Sequence, residues 1–432
     1  MKKFLIQNER MYLSSPNIHV CFRILLEGTF DKTIIEEAFQ GVCLKHPFLK
    51  CCVEIDNNHQ AWLAEKVDSP DIEYFHSSEM DWQTWYTKVD NIPFDFQNGP
   101  LVRICIITGK NTEIIVLGHH VIGDGIGYLN LVKDILLALD NRMDSSPSIP
   151  PTKPEDKYFK HTFLPDQPTK DYARWLNSEW RKEPARFAEG DFYHFFEQYR
   201  KRSRPGLYLA CLDKKDFERL LENSKTNDLT VNEMLTASFA VALMEIRKKE
   251  TIRLGIAASI RNELVSEPVN CMGNYVTGIS EMISYKPEDD FGSNAKLIAG
   301  ICRDKLQNKK SKHLVVHFLN EFDKDLIESV MYAAYGDFEH PVSKKLAELL
   351  GEQSENKGIG ISNLGRHDFS DYNEINIVDV QFIGPAFPAN LLTVDVITIN
   401  NKLNLCLRYN ESEIANGDVK AIVEKAIALL TA

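Results

Sequence analysis

The densest concentration of chemistry-bearing residues in this chain is Gly118-His119-His120-Val121-Ile122-Gly123-Asp124-Gly125. Two adjacent histidines close an apolar run, and an aspartate in a glycine-rich turn precedes a helical pattern. Neighbouring residues of a strand point to opposite faces, so only one histidine of the pair faces a given cavity. A histidine near its unperturbed pKa is the natural general base at neutral pH. Asp124, four residues beyond His120, is spaced for a turn to return it to the local backbone, and the glycines permit a tight reversal. The residues alone leave open a plainer alternative, a core histidine followed by a turn aspartate. A metal site is disfavoured, because adjacent histidines splay apart and no third ligand lies nearby. A phosphate loop is excluded: Gly118 to Gly123 lacks a following Lys-Ser/Thr, and Tyr128 stands where GxGxxG needs its last glycine.

The elements around this stretch alternate. Residues 18–28 read as a strand, and a helix opens after Asp31, with Ile34, Ile35, Ala38, Phe39 and Val42 on one face and a stop at Pro47. Residues 101–108 and 113–120 are apolar strands around Gly109-Lys110-Asn111. A second helix spans Gly125 to Leu139, with Leu129, Val132, Leu136 and Leu139 at helical spacing. Thr230-Val231-Asn232-Glu233 is a capping box that opens a long apolar helix. Further strands are expected near 252–260, 359–362, 392–399 and 403–409, with a final helix from Asp418. The pattern is mixed α/β in two layers. Six of the 18 prolines (Pro147, Pro150, Pro151, Pro154, Pro165 and Pro168) crowd one polar stretch and divide the chain. The expected organisation is an N-terminal unit at 1–165, a crossover segment at 166–199 and a C-terminal unit at 200–432.

At 432 residues the chain has material for two to three domains. Its net charge of −12 argues against a broad nucleic-acid-binding face. The apolar run near Met1 stops after three residues, too short for a leader peptide, and no stretch has the length of a membrane span. The nine cysteines form neither CxxC nor a Cys/His ladder and read as reduced core residues. Cys51-Cys52 reads as two strand residues facing opposite ways. The expected location is cytoplasmic.

His119-His120-Val121-Ile122-Gly123-Asp124-Gly125 resembles the HHxxxDG motif of the chloramphenicol acetyltransferase-like superfamily, which includes condensation domains of nonribosomal peptide synthetases and alcohol acyltransferases. Leu26-Glu27-Gly28-Thr29-Phe30-Asp31 with His46-Pro47-Phe48-Leu49-Lys50 resembles the family's opening strand, helix and turn. Pro93-Phe94-Asp95-Phe96 with Gly99-Pro100-Leu101-Val102-Arg103 resembles the segment before the motif strand. Weaker likenesses follow in order: Thr230-Val231-Asn232-Glu233-Met234-Leu235, the turn Met272-Gly273-Asn274, and Ile361-Ser362-Asn363-Leu364-Gly365.

The resemblance implies two similar α/β subdomains in a V-shaped pseudo-dimer, with a tunnel where donor thioester and acceptor meet at His120. It implies that His120 deprotonates an acceptor hydroxyl or amine that attacks the acyl carbonyl directly, with no covalent acyl-enzyme. Asp124 is then structural and paired with an arginine, for which Arg261 is the candidate. His119 and Gly125 are structural neighbours, Gly125 letting the helix start approach the catalytic loop. Ser362 and Asn363 are candidates for lining the site or donating to the oxyanion; a simple turn after a strand is the alternative.

No metal and no permanently bound cofactor are expected; the co-substrate is acyl-CoA or a phosphopantetheinyl acyl-carrier thioester. The expected partners are a small-molecule acceptor and an acyl- or peptidyl-carrier protein, with the chain a monomer. Arg200, Lys201, Arg202 and Arg204, and Lys309 and Lys310, form the dense basic runs and are candidates for docking the donor, against a reading as solvated helix ends. The aromatic segment with Trp175, Trp180, Phe187, Phe192, Tyr193, Phe195 and Phe196 flanks an acyl tunnel or packs between the halves. No adenylation, carrier or thioesterase segment is visible, so the expectation is a stand-alone acyltransferase. The alternatives are amide formation between carrier-bound partners and a catalytically silent carrier-binding protein.

Overall fold

The computed structural model describes residues 2–7, 9–13, 15–148, 159–161, 163–266, 270–352, 357–369 and 371–432. Fourteen strands among these residues build three sheets. β1 (Lys3–Ile6), β3 (Cys51–Ile55) and β4 (Ala61–Glu65) form a small antiparallel sheet in the order β1-β4-β3. Cys51 and Cys52 open β3, and both are buried.

The N-terminal five-stranded sheet uses β2 (His19–Glu27), β5 (Ile72–His76), β6 (Val102–Thr108) and β7 (Asn111–His119). The apolar runs of β2, β6 and β7 are buried on both faces, as their continuous hydrophobicity requires. The C-terminal six-stranded sheet combines β8 (Pro205–Leu212), β9 (Thr251–Ser259), β10 (Val276–Ser284), β11 (Gly358–His367), β13 (Asn390–Ile399) and β14 (Lys402–Asn410), in the order β10-β9-β11-β13-β14-β8. Helices cover each large sheet: Lys32–Lys45 packs on Gly125–Leu139 in the first half, and Val231–Arg247 on Asn416–Thr431 in the second. The Thr230–Glu233 capping box is formed: Thr230 N donates to Glu233 Oε2 at 2.8 Å, and Glu233 N to Thr230 Oγ1 at 3.2 Å.

One strand crosses the division of the chain. β12 (Ile377–Ile383) leaves the C-terminal half and pairs antiparallel with β2, giving the order β12-β2-β7-β6-β5. It puts Phe382 in the N-terminal core, 5.2 Å between ring centroids from Phe22. Burying such a side chain contributes about 1.5–3 kcal/mol, so the crossing strand fastens the halves together.

Residues 166–199, expected as a connecting segment, are mostly two helices, Gln167–Trp180 and Glu189–Arg202. The buried aromatic residues of the second, Phe192, Phe195, Phe196 and Tyr199, recur at helical spacing and pack between the halves, while Trp175 of the first is exposed. Phe192 meets Phe96 of the N-terminal half at 4.7 Å, and Phe195 meets Tyr332 of the C-terminal half at 4.5 Å. Pro150, Pro151 and Pro154 of the proline-rich stretch lie outside the described residues. Among the described residues no single helix is long and apolar enough to cross a membrane, and no cluster of metal-ligating side chains occurs.

Candidate active site

β7 ends at His119, and a single turn, His120–Ile122, carries the chain into Gly123 and Asp124. His120 N donates to Ile18 O at 2.9 Å, fixing the turn to the start of β2. The two histidines diverge. His119 enters the core, edge-on to Phe94 and Phe96, and its Nδ1 accepts from Val121 N at 3.1 Å. Burial, then the neighbouring histidines, holds its pKa well below the ordinary value, so it is neutral with the proton on Nε2.

Asp124 caps the helix Gly125–Leu139 and collects three donors. Its Oδ1 accepts from Gly127 N and from Arg261 Nη2, and its Oδ2 from Tyr275 N, each at 2.7 Å. Arg261, just after β9, also donates to Gly273 O at 3.0 Å and Cys271 O at 3.3 Å, and its guanidinium lies 4.7 Å from the Tyr275 ring centroid. Asp124 N reaches Gly273 O at 3.2 Å. One carboxylate and one guanidinium thus clamp the turn 271–275 of the C-terminal half onto the histidine loop of the N-terminal half. The clamp needs close backbone approach, and that falls at Gly127. A Cβ there would stand 2.9 Å from Gly273 O. Gly125 instead lies against the side chains of Leu364 and Phe382.

The clamped turn delivers Asn274 to His120. Asn274 Nδ2 is 3.2 Å from His120 Nδ1 and 3.5 Å from His120 O, while its Oδ1 accepts from Val276 N at 3.4 Å. The opposite wall is Tyr12, whose ring lies 4.8 Å from the His120 ring. Burial first, then the Glu9 and Glu352 carboxylates, pushes the Tyr12 phenol well above its ordinary value, so it stays protonated, with the Asn274 amide as a polar neighbour. Tyr12 is held in place through its helix, Arg10–Leu13, because Arg10 Nη2 makes a buried ion pair with Glu328 at 2.8 Å. Phe387 lies 6.0 Å beyond Tyr12 and lines a cavity of about 240 Å³ with Asn17, Tyr335, Lys357 and Arg408.

Ser362 and Asn363 are on β11 and precede Leu364, whose side chain lies against Gly125. Asn363 Nδ2 donates to Asn232 Oδ1 at 3.0 Å and Asn363 Oδ1 accepts from Gly365 N at 2.8 Å, so its amide ties the strand end to the capping-box helix. The basic run at 200–204 is not a uniform landing strip. Arg200 turns inward, donating to Pro16 O at 3.1 Å and Asp90 O at 2.6 Å, which corrects its reading as a docking group: the buried Asp90 draws it into the interior. Arg202 lines the cavity and is paired with Asp337, while Lys201 and Arg204 are exposed. Lys309 and Lys310 begin the helix Lys309–Asn320, with side chains outside the described ones.

Two contributors escaped the sequence reading. Asn274 was visible only as the last residue of a glycine turn, and its partner is 154 residues away. Tyr12 sits in a segment where the sequence marks no site element, and its role rests on the ring contact with His120.

Residues 9–313 match the family described as the condensation domain. Bacitracin synthase 3 of Bacillus licheniformis is 22% identical over 79% of this chain, and nonribosomal peptide synthetase tcpP of Claviceps purpurea is 23% identical over 68%. The chain spans only 6% and 14% of those two proteins. Among solved structures, the trichothecene 15-O-acetyltransferase TRI3 of Fusarium sporotrichioides superposes with a TM-score of 0.68 at 12% identity, covering 99% of this chain and 95% of that one. The first condensation domain of the calcium-dependent antibiotic synthetase gives 0.66 at 11%, covering 100% and 96%. Family match and shared chloramphenicol acetyltransferase-like fold agree: the chain belongs to the condensation-domain family.

Proposed function

We propose that the protein moves an acyl group from a thioester, on coenzyme A or a carrier protein, to a hydroxyl or amine of a small-molecule acceptor. The observation that carries this reading is His120, seated where the two halves meet and contacted by Asn274 from the second half and Tyr12 from the first. In this reading His120 accepts the acceptor's proton as its oxygen or nitrogen bonds to the acyl carbon. The C–S bond then breaks, and the proton passes to the leaving thiolate. Base catalysis contributes ~10²–10⁴-fold, and holding both substrates in one cleft contributes through proximity. Asp124 and Arg261 act by holding the cleft together.

A second reading is amide formation between two carrier-bound partners. It is favoured by the relatives, which are peptide synthetases of which this chain matches one section. Incubation of the protein with acyl-CoA or acyl-carrier donors and a panel of alcohols and amines, with products followed by mass, separates the two. Product from free acceptors supports small-molecule transfer. Product only when both partners are carrier-bound supports condensation.

A further inference from the structure

Asp124 and Arg261 hold the turn that carries Asn274. We propose that Asn274 is the positioning residue that decides which ring nitrogen of His120 carries the proton, an inference that rests on His120 handling the acceptor proton.

A neutral imidazole has one donor and one acceptor nitrogen, and a partner at one fixes the other. Asn274 Oδ1 faces Val276 N, which turns Nδ2 toward the ring at 3.2 Å from Nδ1. Nδ1 is then the acceptor, and Nε2 holds the proton. In this resting form Nε2–H is a hydrogen-bond donor, suited to a thioester carbonyl. A base needs the lone pair on Nε2, and Asn274 supplies that form too. A half-turn of its carboxamide presents Oδ1 to Nδ1–H.

That turn gives up two contacts, at 3.4 Å from Val276 N and 3.5 Å to His120 O, both beyond the usual range for N–H···O bonds. Terminal amide torsions are broad and two-fold, and the Tyr12 hydroxyl beside the amide serves either orientation as donor or acceptor. The orientation seen, which keeps both contacts, is therefore the resting one, and the turn is within reach when an acceptor meets Nε2. Because Asn274 belongs to the C-terminal half, the proton position on an N-terminal histidine depends on the clamp between the halves.

The test is nitrogen NMR of histidine-labelled protein without substrate, with His120 assigned by its absence in H120A. The wild type should show the acceptor resonance at Nδ1 and the proton at Nε2. N274D, whose carboxylate only accepts, should move the proton to Nδ1. N274L, which bonds to neither nitrogen, should shift the tautomer populations away from those of the wild type and lose about 10²-fold in transfer rate, while N274D retains more of it. N274S, too short to reach the ring, is the second variant should N274L misfold, and should behave like it. A His120 spectrum unchanged in N274L or N274S, or a proton still on Nε2 in N274D, would overturn the proposal. The spectra are read without turnover, so failure of the acyl-transfer reading, seen as full activity in H120A, is distinguishable from failure of this one.

Discussion

Arg261 Nη2 stands 2.7 Å from Asp124 Oδ1, with both side chains buried, and the two residues come from opposite halves of the chain. Neither charge faces solvent, and four further backbone groups of the turn and helix bind to the pair: Gly127 N, Tyr275 N, Gly273 O and Cys271 O. An ion pair so embedded fixes geometry more than it adds stability, because desolvation offsets much of its attraction.

Asp124→Asn keeps the helix cap but strands the Arg261 guanidinium without its counter-charge. The expected loss is about 3–5 kcal/mol, read from urea unfolding, with acyl transfer falling as Asn274 loses its seat. A variant of wild-type stability would show that the pair does not hold the halves.

Gly127→Ala places a methyl 2.9 Å from Gly273 O and 3.3 Å from Arg261 Nη2, both parts of the clamp. An ordinary helix position gains stability from alanine, by roughly 1 kcal/mol. Here the sign should reverse, with thermal unfolding at lower temperature and a reduced transfer rate. A rise in Tm would place the turn farther from the helix than 2.9 Å.

A second link between the halves centres on Asp90. Its carboxylate meets His19 Nδ1 at 2.7 Å, Arg408 Nη2 at 3.2 Å and Arg200 Nη2 at 3.5 Å. Burial opposes its ionisation, but Arg408, the His19 hydrogen bond and Arg200 together hold it well below the usual carboxylate range. Asp90→Asn should cost about 3–5 kcal/mol, and pairing it with Arg408→Met should recover part of that loss, because the uncompensated buried charge goes too. Additive losses in the double-mutant cycle would show the two residues to be uncoupled.

Asp395 on β13 is fully buried, and burial pushes its carboxyl up to about 7 against the opposing pull of Gly384 N–H and Arg408. In the unfolded chain the group titrates near ~3.9. The folded value is the higher one, so the stability present below about pH 3.9 declines as pH rises and is lost by about pH 7, at up to ~1.4 kcal/mol per pH unit. Asp395→Asn does not titrate. Its Tm relative to the wild type should therefore climb between about pH 4.5 and 7 and then level off. A pH-independent difference would remove this carboxyl from the pH dependence of folding.

The long periodic elements were legible in the sequence because one helix face or one apolar run fixes them locally. The helix expected at Gly125–Leu139 is found at those bounds, and β7 ends within a residue of its expected close at 120. β12 was not legible: no strand was expected at Ile377–Ile383, and its partner β2 lies some 350 residues earlier. The site divides the same way. His119, His120 and Asp124 stand in one short stretch whose chemistry and turn are local. Asn274, Tyr12 and the inward turn of Arg200 depend on contacts between distant segments, which spacing does not encode. The basic run at 200–204 resembles a docking strip in sequence because a buried acceptor such as Asp90 leaves no mark beside the arginine it captures.

Acyl transfer by this chain, as proposed, requires His120 to handle the acceptor's proton. The most direct measurement compares wild type and His120→Ala in acyl transfer from a thioester donor to a hydroxyl acceptor, under conditions where both are shown by thermal unfolding to be folded. The expected result is a loss of about 10²-fold or more with little change in Tm. Transfer at the wild-type rate in the folded variant would contradict it.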